Sequence, residues 1–166
     1  MEVAWTNQLS VGNAVIDSEH QNLIVMIDRI ESMIKENKTT ALLQELERLE
    51  HSLCVHFINE ERLAKAVNFP FDQNKQEHKF VLKEFQRMKG ELLAQKGTWS
   101  DNVAAHYSKF LSDWFTGHIM REDMLMKPVL QTYDYKFWPG GSEGETNYTA
   151  GSMASLYLEL FGTPTP

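Results

Sequence analysis

The sequence is poor in three features, each of which would have assigned it to a class of protein. Its one cysteine, Cys54, excludes an internal disulfide scaffold and favours a reducing compartment. Its 16 lysines and arginines against 23 acidic residues give a net charge of -7, which disfavours nucleic acid and anionic lipid as partners. It also lacks a basic, apolar leader and any run near the roughly 18 apolar residues that span a bilayer. We therefore expect a cytoplasmic domain that contacts neither nucleic acid nor membrane.

The apolar residues that are present recur at the three-and-four spacing of amphipathic helices. Residues 1–17 show no such period and are expected to form an ordered loop. Four helices are predicted. The first begins after a cap at Ser18, and the second runs from a cap at Thr39 or Thr40 to a stop before Asn68-Phe69-Pro70. The third extends from about Asp72 to near Gly97, and the fourth from Ser100 or Asp101 to about Met126. Long helices joined by short links predict an all-α, antiparallel up-down-up-down four-helix bundle.

The composition changes after residue 130. Residues 132–152 are rich in glycine and predict turns and a linker, whereas residues 155–161 predict a short apolar helix that packs back on the bundle. The sequence thus predicts a four-helix bundle over residues 1–130 and a C-terminal extension over residues 131–166.

Several inward positions of the predicted helices carry side chains that can ligate a metal ion. They are His20 on the first helix, His56 and Glu60 on the second, His78 on the third, and His118 and Asp123 at the end of the fourth. Asp123 lies about 140° from His118 on an ideal helix, so it joins the others only through a bulge or a frayed end. The remaining histidines, His51 and His106, are expected to lie outside this cluster.

A shared metal centre is the explanation that accounts for all six side chains. Each of these residues alone could be a core residue whose polar atoms find hydrogen-bond partners. Burying a polar group without a partner, however, costs about 2–7 kcal/mol of folding free energy, and burying an isolated carboxylate costs more. A cation would take the imidazole lone pairs and neutralise the carboxylates. Mixed imidazole and carboxylate ligands suit zinc, iron or manganese, and two carboxylates flanked by histidines suit a dinuclear site.

The order and spacing of these residues resemble those of bacterial hemerythrins. The matching motifs are His20, then His56-Phe57-Ile58-Asn59-Glu60, then Glu77-His78, then His118-Ile119-Met120-Arg121-Glu122-Asp123, after an opening loop with Trp5 and Val11-Gly12-Asn13. The resemblance covers roughly residues 3–130. It implies a non-haem diiron-oxo centre of two iron ions that binds dioxygen reversibly.

The resemblance also implies a role for each residue. His20 and His56 would hold the iron at which dioxygen lands, while Glu60 and Asp123 would bridge the two irons. His78 and His118 would be two of three histidines on the other iron. The third histidine is replaced in this chain by Asn74, which predicts lower iron affinity and faster autoxidation. The alternative is that the asparagine is tolerated and water fills the position.

The function predicted on this basis is oxygen or redox sensing by a binding domain without turnover. The family also occurs fused to signalling outputs such as diguanylate cyclases and chemotaxis receptors, so a covalently linked C-terminal signalling domain is an expected partner beside dioxygen. A dry pocket for dioxygen is predicted from five apolar residues: Leu23, Ile24, Phe57, Trp114 and Ile119. Three alternatives remain open, namely a free oxygen carrier or store, a diiron oxidoreductase acting on peroxide or nitric oxide, and a structural zinc bundle.

Overall fold

The computed structural model describes residues 4–36, 38, 40–96, 99–141 and 152–162. These ranges contain no strand. Their α-helices are α1 (Ala14–Lys35), α2 (Leu42–Ala66), α3 (Asp72–Ala94), α4 (Asp101–Arg121), a short α5 (Lys127–Leu130) and α6 (Met153–Phe161), and a 3-10 turn (Asp123–Met126) joins α4 to α5. Helix α1 packs on α2 and α4, and α2 packs on α3. The predicted all-α, up-down-up-down four-helix bundle is confirmed.

The first helix begins earlier than the sequence predicts. Asn13 caps α1, because its side-chain oxygen accepts hydrogen bonds from the N–H groups of Val15 and Ile16. The expected cap at Ser18 and the expected loop over residues 14–17 are therefore wrong. Asp17 of this first turn accepts hydrogen bonds from the Val11 N–H (2.9 Å) and the Tyr135 hydroxyl (2.9 Å), which fastens both flanking segments to α1.

The other boundaries agree in part with the sequence. Helix α2 ends before Phe69-Pro70, α3 begins at Asp72, and Ser100 caps α4 through the N–H of Val103, all as predicted. The cap of α2 is Ala41, which makes no side-chain cap, so a cap at Thr40 is wrong. The alternative cap, Thr39, and the predicted end of α3 near Gly97 lie outside the described residues; α3 itself ends at Ala94.

The fourth helix is shorter than predicted. It ends at Arg121 rather than near Met126, and the 3-10 turn from Asp123 follows. Pro128 does not end this helix but lies in the first turn of α5. A proline is tolerated there because the first N–H groups of a helix have no partner within the helix.

Two apolar clusters fill the bundle and leave a polar layer between them. The larger cluster extends from Leu23 on α1 and Leu53 on α2 to Phe115 on α4 and includes Leu156 and Leu160 of α6. The smaller cluster lies at the opposite end. It consists of Val11, Ile16, Leu63, Ala64, Val67, Met126, Leu130 and Trp138. The polar layer between them holds the candidate site.

The described part of the C-terminal extension forms a helix on the bundle surface. Helix α6 lies on α2, with Leu156 and Leu160 buried. Residues 142–151 of the predicted linker lie outside the described residues, whereas residues 132–141 are described and contain turns. Among the residues that are described, no helix combines the length and the apolar character needed to cross a membrane.

Candidate metal centre

The six side chains singled out in the sequence converge in the layer between the two apolar clusters. Each of the four long helices contributes at least one of them, and none is more than 1% exposed. The residues are His20 on α1, His56 and Glu60 on α2, His78 on α3, His118 on α4 and Asp123 in the 3-10 turn. Buried polar groups of this kind are stable only when partners satisfy them.

The six residues form two overlapping groups, each of two histidines and both carboxylates. In the first, one ligand atom from each of His20, His56, Glu60 and Asp123 lies within 4.8 Å of all the others. In the second, His78 and His118 replace the first two histidines at the same spacing. The Nε2 atoms face each other within each pair, 3.2 Å apart for His20 and His56 and 3.1 Å apart for His78 and His118.

The two carboxylates each present one oxygen to each histidine pair. Glu60 Oε1 lies 3.4 Å from His56 Nε2, and Glu60 Oε2 lies 3.2 Å from His78 Nε2. Asp123 Oδ2 lies 3.2 Å from His20 Nε2, and Asp123 Oδ1 lies 3.0 Å from His118 Nε2. Each carboxylate thus lies between the two histidine pairs, an arrangement that would suit two adjacent cations.

The end of α4 explains how Asp123 reaches the layer. A continuous helix would turn this side chain about 140° away from His118. Because α4 ends at Arg121 and the chain tightens into a 3-10 turn, Asp123 faces the axis and is fully buried. The condition that the sequence set for Asp123 is met by a frayed helix end.

The electrostatics of the layer favour a bound cation. Neither oxygen of Glu60 accepts a hydrogen bond from any described residue. Burial and the neighbouring Asp123 carboxylate raise the pKa of Glu60 well above its usual range. Burial, together with the charges of neighbouring histidines, holds the pKa values of His56 and His78 well below theirs. The lone pairs of His56 and His78 are thus available, and a cation beside Glu60 would offset the cost of a charged carboxylate in this buried layer.

Asp123 and His118 shift each other's pKa in opposite directions. Burial alone would raise the pKa of Asp123, but the charge of His118 and close contacts with His118 (3.0 Å) and His20 (3.2 Å) hold it well below its usual range. Conversely, burial alone would lower the pKa of His118, and Asp123 outweighs that effect and raises it. A cation between them would take the place of the His118 proton, since the imidazole lone pair must be free to ligate.

Comparison with known proteins agrees with this site and fold. The family model of the hemerythrin HHE cation binding domain matches residues 11–130, a range that contains all six residues. The chain belongs to the hemerythrin family.

Curated relatives of this hemerythrin domain carry the name bacteriohemerythrin. That of Pseudomonas aeruginosa is 26% identical over 121 residues, which cover 73% of this chain and 76% of the relative. That of Stenotrophomonas maltophilia is 24% identical over 149 residues, covering 87% and 94% of the two chains. The crystal structure of a leucine-to-phenylalanine mutant matches with a TM-score of 0.67 at 19% identity, over 79% of this chain and 99% of that one, and supports the fold alone.

Beyond the six residues, the hemerythrin domain contains a carboxylate that sequence reasoning missed. Glu19 is not among the predicted site residues, yet its Oε2 lies 2.8 Å from His56 Nδ1 on α2. Its other oxygen accepts a hydrogen bond from the Asn59 side chain. Burial raises the pKa of Glu19 to about 8, although the Asn59 hydrogen bond lowers it. The sequence did contain one signal for this role. Glu19 directly precedes His20, so its side chain lies about 100° from His20 around α1 and can face a neighbouring helix.

Asn74 points into the layer and lies next to the second histidine pair. Its side chain is 1% exposed, and its Nδ2 donates a hydrogen bond to Asp123 Oδ1 over 3.4 Å. The amide therefore presents a donor, rather than its oxygen, to the carboxylate that both cation positions share.

Of the five residues predicted to line an oxygen pocket, the two aromatic ones stack on the histidines of one pair, and Phe57 also lies 5.7 Å from the ring of His56 in the other pair. Phe57 stacks on His78 with ring centres 3.6 Å apart, and Trp114 stacks on His118 at 5.0 Å. Trp114 is half-buried. The other three, Leu23, Ile24 and Ile119, are buried in the larger cluster. Phe115, which was not predicted, meets His20 edge to face at 6.0 Å.

The two remaining histidines and the cysteine lie outside the layer. His51 is half-buried in a surface depression with Glu19, Leu23 and Val55. His106 is exposed beside Tyr107. Cys54 is fully buried in the larger apolar cluster.

Proposed function

We propose that this hemerythrin domain holds two iron ions and binds dioxygen as a cytoplasmic oxygen or redox sensor. The observation that carries the proposal is the sharing of Glu60 and Asp123 between two histidine pairs, with one oxygen of each carboxylate directed to each pair. In this proposal residues 1–130 are the sensing bundle and residues 131–166 are an extension toward an output.

The donor set fits iron in both positions. His20 and His56 would hold one ion and His78 and His118 the other, with Glu60 and Asp123 held in common. Imidazole and carboxylate ligands suit iron, and together the two carboxylates offset part of the cations' charge. Bound iron would supply the electrons that dioxygen accepts on binding.

The surroundings of the site would exclude water and slow side reactions. The layer lies between two apolar clusters, and its six side chains are at most 1% exposed. A small apolar gas can reach such a site through transient openings, whereas ions and polar reductants are disfavoured by their desolvation cost. This supports reversible binding over turnover, and we propose no enzymatic step for this domain.

The sensor role draws support from the position of α6. This helix rests on α2, which also carries His56 and Glu60. The Tyr157 hydroxyl of α6 donates a hydrogen bond to Glu50 Oε1 (2.8 Å), and Glu50 lies about 15 Å along α2 from Glu60. A change at the site that shifts α2 would alter the contact that holds α6, provided that the two states differ in free energy at that contact.

The second candidate is a free oxygen carrier or store. The observation that favours it is the extent of the match, which reaches 94% of the length of the Stenotrophomonas maltophilia bacteriohemerythrin. A carrier needs reversible oxygenation but no movement of α6, so the conformational response of α6 separates the two functions.

The experiment compares the reduced protein under anaerobic conditions with the same sample after exposure to air. Reversible optical changes over repeated cycles test dioxygen binding, and the rate at which a thiol reagent modifies Cys54 tests whether the bundle beneath α6 opens. A sensor predicts reversible spectra and a Cys54 rate that differs between the states. Reversible spectra with equal rates would leave the carrier, whereas sustained consumption of peroxide or nitric oxide would replace both with an oxidoreductase.

A further inference from the structure

The two histidine pairs differ in what supports them from outside the polar layer. His56 of the first pair has a hydrogen-bonding partner outside the layer, because Oε2 of the Glu19 carboxyl lies 2.8 Å from its Nδ1. Glu19 is held in turn by a hydrogen bond from Asn59, which is fully buried on the same helix as His56. A histidine that ligates through Nε2 carries its proton on Nδ1, so Glu19 fixes the tautomer and the ring orientation that ligation requires.

The second pair lacks an equivalent contact. On the outer side of the His118 ring, the Glu77 carboxylate approaches Nδ1, but its Oε2 is 3.9 Å away and thus beyond hydrogen-bonding distance. The Nδ1 atom of His118 has no hydrogen-bond partner among the described residues, and neither has that of His20 in the first pair, so the difference between the pairs lies at His56. The ring is oriented by stacking on Trp114, which sets its plane but adds no negative charge.

Asn74 weakens the second position further. Its amide donates to Asp123 Oδ1, the same oxygen that lies 3.0 Å from His118 Nε2. A donated hydrogen bond occupies a lone pair of that oxygen and draws electron density from it, so less remains for a cation. Asp123 Oδ2, directed to the first pair, receives no hydrogen bond from Asn74.

We propose that the two cation positions are unequal and fill in order. The position of His20 and His56, supported by Glu19 and Asn59, binds first and more tightly, and the position of His78 and His118 binds second. The inference rests on the proposed dinuclear function and assigns Glu19 as a positioning residue that acts through His56. Outer carboxylate partners of ligating histidines change metal affinity by about 10–100-fold, which is the gap expected between the two positions.

The test is a titration of the metal-free protein with Co²⁺, a divalent probe whose visible absorption reports its ligand environment. A competing chelator supplies the two dissociation constants. We expect two binding steps separated by about 10–100-fold. Glu19→Gln keeps the size of the side chain but removes its charge, and should weaken the first step while leaving the second within about 2-fold, which closes the gap.

Two further variants keep the result independent of folding defects. Glu77→Gln is the matched control, because the Glu77 carboxylate makes no hydrogen bond to His118; it should leave the first step unchanged and change the second by less than Glu19→Gln changes the first. Asn59→Ala leaves Glu19 in place without its buried partner and should weaken the first step by less than Glu19→Gln does. Circular dichroism of each variant verifies that the bundle is retained.

The outcomes separate this inference from the proposed function. Two equal steps in the parent, or a first step that Glu19→Gln and Glu77→Gln affect alike, would overturn the inference and leave the dinuclear site intact. A parent protein that binds no Co²⁺ would overturn both.

Discussion

Phe57 lies flat on the imidazole of His78, with ring centres 3.6 Å apart and ring planes 7° apart. The phenyl ring comes from α2 and the imidazole from α3, so this stack fixes the orientation of one histidine against the helix that carries His56 and Glu60. Phe57 is 1% exposed and also meets Trp114 and His118 edge to face. It thereby joins the aromatic packing of the bundle to the polar layer.

Substituting Phe57 should therefore affect stability and metal binding together. Phe57→Ala removes a fully buried ring and should cost about 3–5 kcal/mol in the free energy of unfolding, measured by urea denaturation. Phe57→Leu keeps an apolar side chain and should cost less, but it removes the flat surface that orients His78. The second Co²⁺ step should then weaken more than the first; equal weakening of both would show that the stack does not orient His78.

Removal of a shared carboxylate should weaken metal binding at both cation positions. Glu60→Gln retains the volume of the side chain but loses the charge that both positions use, so bound iron should fall below roughly half of the parent value. His20→Ala should also lower the iron content. His51→Ala is the control, since His51 lies outside the layer, and metal analysis should find the parent value. Full iron occupancy in Glu60→Gln would show that Glu60 is not shared.

Metal removal should destabilise the folded protein. Without a cation, Glu60 remains buried with no hydrogen bond to its oxygens from the described residues. A cation at 100 times its dissociation constant stabilises the folded state by about 2.7 kcal/mol, which for a domain of this size raises Tm by at least about 5 °C. Calorimetry of metal-free and reloaded protein measures the shift. An unchanged Tm would mean that the cation does not bind to the buried layer.

Restoring an imidazole at position 74 should strengthen the second cation position. Asn74→His adds a ligand next to His78 and removes the hydrogen bond to Asp123, so the second cation should bind at least about 10-fold more tightly. The oxygenated form should also autoxidise more slowly, as measured by the decay of its absorption. Asn74→Ala removes the hydrogen bond without adding a ligand and separates the two effects. An oxygenated form no longer-lived than in the parent would show that Asn74 does not set the reactivity.

The packing of α6 on α2 should weaken when Tyr157 is replaced and when the pH rises above about 10. Burial and the nearby Glu50 carboxylate raise the pKa of Tyr157 above its ordinary value of 10.0, so the folded state holds this proton more tightly than the unfolded chain does. The resulting stability is present below pH 10 and is lost as the pH rises further. Tyr157→Phe should cost about 0.5–1.5 kcal/mol, because Glu50 loses one donor but keeps those of Gln86 and Lys89, and should speed modification of Cys54 by a thiol reagent.

The control for α6 is Leu158→Ala, a change on the exposed face of the same helix. It should leave the unfolding free energy and the Cys54 rate close to those of the parent. If Tyr157→Phe behaves like Leu158→Ala, the hydrogen bond to Glu50 does not hold α6 in place.

The sequence predicted the parts of the structure that follow from helical periodicity. The bundle, the end of α2 before Pro70 and the inward positions of the four ligand histidines depend on residue spacing along single helices. The start of α1 was missed because Asn13 competes with Ser18 as a cap, and only contacts with distant residues such as Tyr135 favour the earlier start. Local patterns do not contain that information.

Contacts between side chains on different helices also could not be predicted from the sequence. The reach of Glu19 to His56 joins residues 37 positions apart, and the donor role of the Asn74 amide depends on where Asp123 lies after α4 ends. Sequence spacing required a bulge or frayed end for Asp123 but did not determine where it occurs. The 3-10 turn that supplies it depends on packing of Met126 and Leu130 in the smaller apolar cluster.

Metal analysis, combined with optical spectra of the anaerobic, air-exposed and chemically reduced protein, tests the central claim most directly. The account predicts two irons per chain, one for each histidine pair, with near-ultraviolet charge-transfer absorption in the air-exposed sample that disappears on reduction. Zinc in place of iron, or a spectrum without features in all three states, would contradict it.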